Sequence, residues 1–346
     1  MERFSRILII RTDRIGDVVL TTPSIRAIRK KYPNAKITLL VAPQTISLIN
    51  DNPHFDDVIF DDRQGINRNF FGFLRLVSLV RSKKFDLAIN FHTKKRTNLL
   101  CFLAGIPKRL GYKDKNYGFL LNLQGKDERH LGKMHEAQYC LSLLKALGIN
   151  SEDLGLDISI QKDSEEWFKN LLRVKGFLKD KKLIGIHPGG SDPTRRWPQE
   201  NFIRVINEVK AKYDCHFIFI GDKEIEETSN KMLKVSSSDI LNLIGKTTVS
   251  QLVSIIKSCD ILISNDSGPV HIAAALNVPV VAIFTRNQPG INKERWRPLN
   301  DNSISISVPL EDKLDFSKAG KIDPRSLQNI PISHVLEAVD SLIKLC

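Results

Sequence analysis

The sequence predicts an α/β protein made of two Rossmann-like parallel-sheet halves facing across a cleft. Three observations point there. Short β-rich runs alternate with longer stretches of helical periodicity, the signature of βα units. The alternation restarts after a polar, acidic stretch at 150–164. The chain of 346 residues is also long enough for two cores at roughly 150 residues per domain.

In the first half ILIIR (7–11) reads as a buried strand, followed by an amphipathic helix from Val18 to Tyr32. KITLLVA (36–42), residues 57–60 and DLAINF (86–91) read as further strands, with helical spacing over 70–81. The helix at 138–147 is closed by Gly148, since glycine adopts the left-handed C-cap conformation without strain. The second half opens on LIGIH (183–187) and continues with helix 201–212, strand HFIFIG (216–221) and a brief strand at 240–243. Helix 249–257, strand DILIS (260–264), helix 270–276 and strand VPVVAIF (278–284) follow. An amphipathic helix at 333–344 ends the pattern and is expected to pack back on the first half. The expected boundaries are therefore 1–160, 161–330 and 331–346. In open sheets of this kind ligands bind beyond the carboxyl ends of the strands, so the chemistry is sought in strand-to-helix loops.

Composition narrows the classes. Apolar residues make up 42% and charged residues 26%, which excludes a disordered or collagen-like chain. Lys and Arg number 52 against 39 Asp and Glu, a formal charge of +13 that suits nucleic acid, an anionic membrane or phosphorylated ligands. The basic residues are spread along the chain and carry no nucleic-acid module signature, so nucleic acid is not an expected partner. Five cysteines, without C-x-x-C or zinc-ligand spacing, suit free thiols in a reducing cytoplasm. The apolar stretch Val270–Phe284 is broken by His271, Asn277 and Pro279 and cannot span a bilayer. Gly245-Lys246-Thr247 imitates the end of a phosphate-binding P-loop, but Ile240 stands where that motif needs glycine; no G-x-G-x-x-G or H-E-x-x-H occurs.

Three loops carry candidate chemistry. In R-T-D-R-I-G-D (11–17), Gly16 allows a tight turn and Asp17 opens a helix. Helix capping and general-base catalysis both fit Asp17, and the helix N-terminus together with Arg11 and Arg14 is expected to hold its pKa low. In H-P-G-G-S-D-P-T-R-R-W-P (187–198), Gly189, Gly190 and Ser191 permit close approach to an oxyanion beside Arg195 and Arg196. A diphosphate site and a plain surface turn fit that composition equally. In S-N-D-S-G-P-V-H (264–271), Ser267 and Gly268 sit at a helix N-terminus that favours an anion, while Asp266 suits sugar hydroxyls or capping. His271 follows in the first turn.

At these loops, I-G-D-V-V-L-T-T-P, H-P-G-G-S-x-P-x-R-R-W-P and N-D-S-G-P-V-H-I-A-A-A-L in that order, the chain resembles the ADP-heptose:lipopolysaccharide heptosyltransferases from about Ile7 to Phe284. That resemblance implies a GT-B fold and an inverting, metal-independent glycosyltransferase with no cofactor. It implies Asp17 as the base on the acceptor hydroxyl, with Arg11, Arg14 and His135 at an anionic acceptor. Gly190, Ser191, Arg195 and Arg196 would hold the donor diphosphate, Arg195 standing where the family usually has Lys. Asp266, Ser267, Gly268 and His271 would hold the donor sugar and phosphates, with Glu224 at the ribose and Thr247 and Thr248 at the adenine. The partners so implied are ADP-heptose and a lipopolysaccharide-core glycolipid acceptor, at the inner face of the inner membrane. A GT-B transferase or epimerase with another nucleotide sugar, and a non-catalytic two-lobed binding module, remain as alternatives.

Overall fold

The structure is a computed structural model and describes residues 3–113, 116–177, 180–190, 192–225, 239–309 and 330–345. The chain divides into two compact units. One holds the residues up to His130 together with Met134–Ser159; the other holds Leu131–Lys133 and the chain from Ile160 onward.

The first unit carries strands β1 (Arg6–Arg11), β2 (Lys36–Val41), β3 (Asp57–Phe60), β4 (Leu87–Asn90), β5 (Lys108–Tyr112) and β6 (Leu123–Gly125). They form one parallel sheet in the order β3-β2-β1-β4-β5-β6. Ile9 at its centre pairs with Leu39 on one side and Ile89 on the other. Helices α1 (Ile15–Lys31), α2 (Phe70–Ser82), α3 (Lys95–Leu103) and α4 (Glu136–Leu143) are its major helices. Because helices cover such a sheet on both faces, β1 is buried from Ile7 to Arg11 without alternation.

The second unit repeats the plan. Strands β7 (Lys182–His187), β8 (Cys215–Phe219), β9 (Ile240–Asn242), β10 (Ile261–Asn265), β11 (Val280–Phe284) and β12 (Ile304–Ser307) form a parallel sheet ordered β12-β11-β10-β7-β8-β9. Its helices are α5 (Lys162–Val174), α6 (Gln199–Lys212), α7 (Val249–Ser258), α8 (Gly268–Ala275), the short α9 (Lys293–Trp296) and α10 (Ile332–Ile343). Each sheet starts at its centre, grows to one edge and then returns to the other side. The order therefore reverses between β1 and β4 and between β7 and β10, where open α/β sheets leave a crevice for ligand.

Several elements differ from the sequence expectation. The polar stretch at 150–164 is no free tether. Arg26 ties it to the first unit through Asp153 (3.1 Å) and Asp157 (2.7 Å), and the Ser159 amide donates to the Leu48 carbonyl at 2.7 Å. α5 begins at Lys162, so only residues 160–161 separate it from that unit. α3 escaped the periodicity because its buried face includes Thr97 and Asn98, which accept from the Asn90 carboxamide at 3.0 and 2.7 Å. β5, β6 and β12 were also missed: β5 and β6 are charged, polar or glycine-containing, and the ISIS run of β12 is short and half-buried. α10 belongs to the second unit. Val335, Val339 and Leu342 lie in the second unit's core with Trp197 and Phe202, and this packing uses the helix's one apolar stripe. Gly148 does close its helix with φ +67°.

Pro23 lies inside α1 and has no N–H for the Val19 carbonyl. The Thr22 hydroxyl donates to that carbonyl at 2.8 Å and accepts from the Asp157 amide at 2.9 Å, in a fully buried position. Replacing Thr22 by the isosteric Val orphans both groups. Thr22→Val is expected to destabilise the protein by about 1–3 kcal/mol, read as a lower denaturant midpoint at unchanged m-value.

Candidate active site

β1 ends at Arg11, whose guanidinium is only 4% exposed. A buried cation needs partners, and three carboxylates supply them. Nη2 lies 2.5 Å from Asp17 Oδ1 and 3.2 Å from Glu136 Oε1, while Nε lies 3.0 Å from Asp13 Oδ1. The Asp13 contact is an ion pair without hydrogen-bond alignment, and both of its atoms are buried without a hydrogen bond. Nη1 donates to the Phe91 carbonyl at 3.2 Å. Arg11, which the resemblance implied at the acceptor, is thereby paired from inside the protein. Arg14, at the N-cap position of α1, is the exposed cation of this loop.

Asp17 stands in the first turn of α1 but makes no cap. Burial raises its pKa to about 6 against the pull of Arg11, and Asp13 and Glu136 add to the rise. This reverses the low value expected from the loop alone, because burial outweighs the pull of Arg11, whose charge is shared among three carboxylates. A carboxylate near 6 suits a general base better than one near its ordinary value. Asp13 is raised too, again chiefly by burial.

His135, which the resemblance implied near the acceptor, caps a helix. It is buried at the N-cap of α4, where Nδ1 accepts from the Ala137 amide at 3.2 Å. Its neighbour Glu136 is the residue that reaches Arg11. The loop after β4 adds His92, which the sequence reading passed over: its Nδ1 lies 3.0 Å from Thr12 Oγ1. Burial first, then Arg11, Arg63 and Lys94, lower its pKa to about 3, so it is neutral at physiological pH. Arg63 donates to Thr12 Oγ1 at 2.7 Å and pairs with the buried Asp61, which also takes Arg96. The signal for His92 was positional, since it follows the strand beside the switch point.

In the second unit the loops after β7 and β10 meet. Asn265, at the end of β10, accepts from the Trp197 amide (3.0 Å) and donates to the Pro188 (2.8 Å) and Gly189 (3.2 Å) carbonyls. His187 Nδ1 lies 3.0 Å from Ser267 Oγ and 3.2 Å from Ser264 Oγ; burial, then Arg196, lowers its pKa to about 4. Ser267 occupies the N-cap position of α8, but its side chain turns to His187 and leaves the helix uncapped for an anion.

The two adjacent arginines separate in role. Arg196 donates Nε and Nη2 to the Gly190 carbonyl at 2.8 and 2.6 Å, so it holds the loop's shape. Arg195 lies 3.7 Å from Asp266 and 3.6 Å from Asp192, beyond hydrogen-bond reach, and its buried Nε has no hydrogen bond. It is the guanidinium of this loop that remains available to an anion, and it stands beside the carboxylate expected to hold sugar hydroxyls. His271 is buried, its ring 6.2 Å from that of Trp296. Thr248 caps α7 in a reciprocal pair with Gln251, with Thr247 half-buried before it. The loop that leads to them also meets the turn bearing the exposed Glu224, through the Gly245 amide on the Gly221 carbonyl at 2.8 Å. Ser191 lies outside the described residues. Among the described residues no group of three or more His, Cys, Asp or Glu is placed to hold a metal ion.

Two units, each a six-stranded parallel sheet with helices between its strands, have the plan of the GT-B class of glycosyltransferases. The family model for glycosyltransferase family 9 (heptosyltransferase) matches residues 73–324. The chain belongs to that family. It is similar to lipopolysaccharide heptosyltransferase 3 of Escherichia coli, 26% identical over 347 residues, 95% of this chain and 96% of the relative. A crystal structure of a family 9 glycosyl transferase from Veillonella parvula matches with TM-score 0.86 at 25% identity, over 100% of this chain and 99% of the other. E. coli ADP-heptose lipopolysaccharide heptosyltransferase II matches with TM-score 0.78 at 21% identity, covering 98% and 99%.

The raised pKa of Asp17 has a stability consequence. Between the ordinary value of 3.8 and about 6 the folded chain holds a proton that the unfolded chain releases, so this group's contribution falls as pH rises through 6. Asp17→Asn removes that penalty. Its stability relative to wild type is expected to grow from pH 4 to pH 6 and then level off, by on the order of 2 kcal/mol, measured as the difference in Tm across that range.

Proposed function

We propose that this glycosyltransferase moves a heptose from ADP-heptose to a hydroxyl of the lipopolysaccharide core, inverting the anomeric centre, with the first unit serving the acceptor and the second the donor. The observation that carries this reading is Asp17: buried among carboxylates, raised to about 6, still 15% exposed, and held by Arg11 at 2.5 Å. Simple binding needs no such base. The names of its relatives support the donor and acceptor classes, and the loops after β7 and β10 have the chemistry a diphosphate requires.

In the reaction, the acceptor hydroxyl gives its proton to the Asp17 carboxylate as its oxygen bonds to the anomeric carbon. The bond from that carbon to the diphosphate breaks on the opposite face, and its electron pair leaves with the diphosphate. Arg195 and the uncapped N-terminus of α8 stabilise the departing charge. Asp266 takes sugar hydroxyls, Glu224 the ribose, and Thr247 and Thr248 the adenine edge. Arg14 meets anionic groups of the acceptor. No helix among the described residues is long and apolar enough to cross a membrane; the enzyme works from the cytoplasm at the membrane surface, where a lipid-linked acceptor is held.

The deciding experiment offers ADP-, UDP- and GDP-sugars with a defined lipopolysaccharide fragment to wild type and Asp17→Asn. Transfer is expected from ADP-heptose with inversion, and kcat in Asp17→Asn is expected to fall by about 10²–10⁴-fold. Near wild-type kcat in the folded variant would remove Asp17 as base; another preferred donor would move the enzyme to a different branch.

Glu136→Gln tests how Asp17 is tuned. It removes one negative charge and leaves Arg11 more fully to Asp17, so the acid limb of the kcat/KM profile is expected to move to lower pH. An unmoved limb would mean that Glu136 serves only the fold.

A further inference from the structure

Nine of the twelve large apolar side chains exposed among the described residues lie in the first unit, between Phe60 and Phe119. The most exposed are grouped on neighbouring elements. Phe70 and Phe71 open α2 with rings 5.9 Å apart, 67% and 72% exposed. α2 packs on α3, which carries the exposed Phe102, and α3 packs on the turn Gly118–Leu120, whose Phe119 is 79% exposed. Two hydrogen bonds fasten the face: Arg96 to the Asn67 carbonyl at 2.9 Å and Asn98 to the Asn116 carbonyl at 2.8 Å.

The charge around these rings is mostly of one sign, with Arg63 and Arg96 sharing the buried Asp61 and Lys83 paired with Asp57. From Arg63 to Phe85, and again from His92 to Lys113, the sequence holds six Lys or Arg in each stretch and no Asp or Glu. Ordinary soluble surfaces mix charges and expose large apolar residues singly. Aromatic side chains among basic ones are what the interfacial zone of a bilayer accepts, the rings at headgroup depth and the cations on anionic lipid. A second copy of this face would bring like charges together, which disfavours self-pairing.

We propose that the α2–α3 face of the first unit docks on an anionic lipid bilayer through Phe70, Phe71 and Phe119, with Arg68 and Arg75 on the headgroups. The docking face continues into the candidate site. Ile66 lies in the loop whose Arg63 bonds Thr12 and whose Asn67 carbonyl takes Arg96, and Thr12 belongs to the loop that bears Asp17. Docking would therefore place the site at the depth where a lipid-linked sugar emerges. The inference rests on the lipid-linked acceptor reading and names the surface that serves it.

Full-length protein is floated with vesicles of phosphatidylcholine alone, or with about one third phosphatidylglycerol, at low and high salt. Wild type is expected to bind the anionic vesicles at least ~10-fold better than the neutral ones and to release in high salt. Phe70→Ser with Phe71→Ser is expected to lose about 10-fold of that binding, while Val174→Ser, an exposed apolar site in the other unit, loses none. Transfer by the double variant to a lipid-free acceptor fragment is expected to match wild type, which shows that the fold and chemistry are intact. Vesicle binding unchanged in the double variant overturns the proposal. So does a wild type that ignores anionic vesicles, or one that self-associates through these phenylalanines without binding lipid. Absence of transfer from any donor would instead strike the transferase reading, leaving the vesicle result to stand by itself.

Discussion

One buried guanidinium organises the first unit. Arg11 ends the central strand with almost no access to water, and the desolvation of its charge has to be offset by carboxylates brought from two places. Asp13 and Asp17 come from the segment that follows it, Asp17 already in the first turn of α1, and Glu136 from the first turn of α4. The balance is uneven, one cation to three anions, and this imbalance together with burial keeps Asp17 protonatable near neutrality. A base of that strength follows first from burial and then from the charges enclosed with it. The same contacts fasten α4 to the end of β1, so the unit's packing and its chemistry share one set of bonds.

The second unit reaches a comparable result without a buried charge at the centre. The Asn265 carboxamide spans the loops after β7 and β10 by donating to two carbonyls and accepting from the Trp197 amide. Trp197 is fully buried and donates its indole N–H to the Ile330 carbonyl, so the anion loop is anchored in the core that α10 completes. With Arg196 committed to the Gly190 carbonyl and Asn265 to the loop backbone, Arg195 alone of the pair keeps a guanidinium without hydrogen bonds. Rigidity and availability are thus divided between neighbouring residues of one type.

The net charge of +13 divides in a way composition could not show. Arg11 is consumed internally, Arg26 holds the stretch before α5, and Arg63 and Arg96 share Asp61. The candidate donor loop keeps one guanidinium, that of Arg195, which is ion-paired with Asp192 and Asp266 but not hydrogen-bonded. Much of the local excess lies on the α2–α3 face, where basic residues surround exposed aromatic rings and acidic ones are missing from both stretches.

Much of this was legible in the chain. Apolar runs such as ILIIR and DILIS mark strands buried on both faces, glycine at 148 marks a helix end, and the three loop motifs mark where strands hand over to helices. These are local properties, set by side-chain period and by backbone freedom over a few residues. Asp17, Arg195 and Asp266 could be picked out for the same reason. What the chain could not show was which partner each would meet. Glu136 lies 125 residues from Arg11, and nothing in either segment announces the other. Asp17 was expected to be a weak base because only the nearby arginines could be counted; burial, which reverses the sign of its shift, belongs to the assembled unit. The sequence by itself determined two βα repeats and the loops that carry chemistry, since short-range sterics and hydrophobic period decide those. The tertiary structure alone decided the protonation of Asp17, the internal commitment of Arg11, Arg196 and His135, and the packing of α10, because desolvation and long-range pairing exist only once the chain has closed.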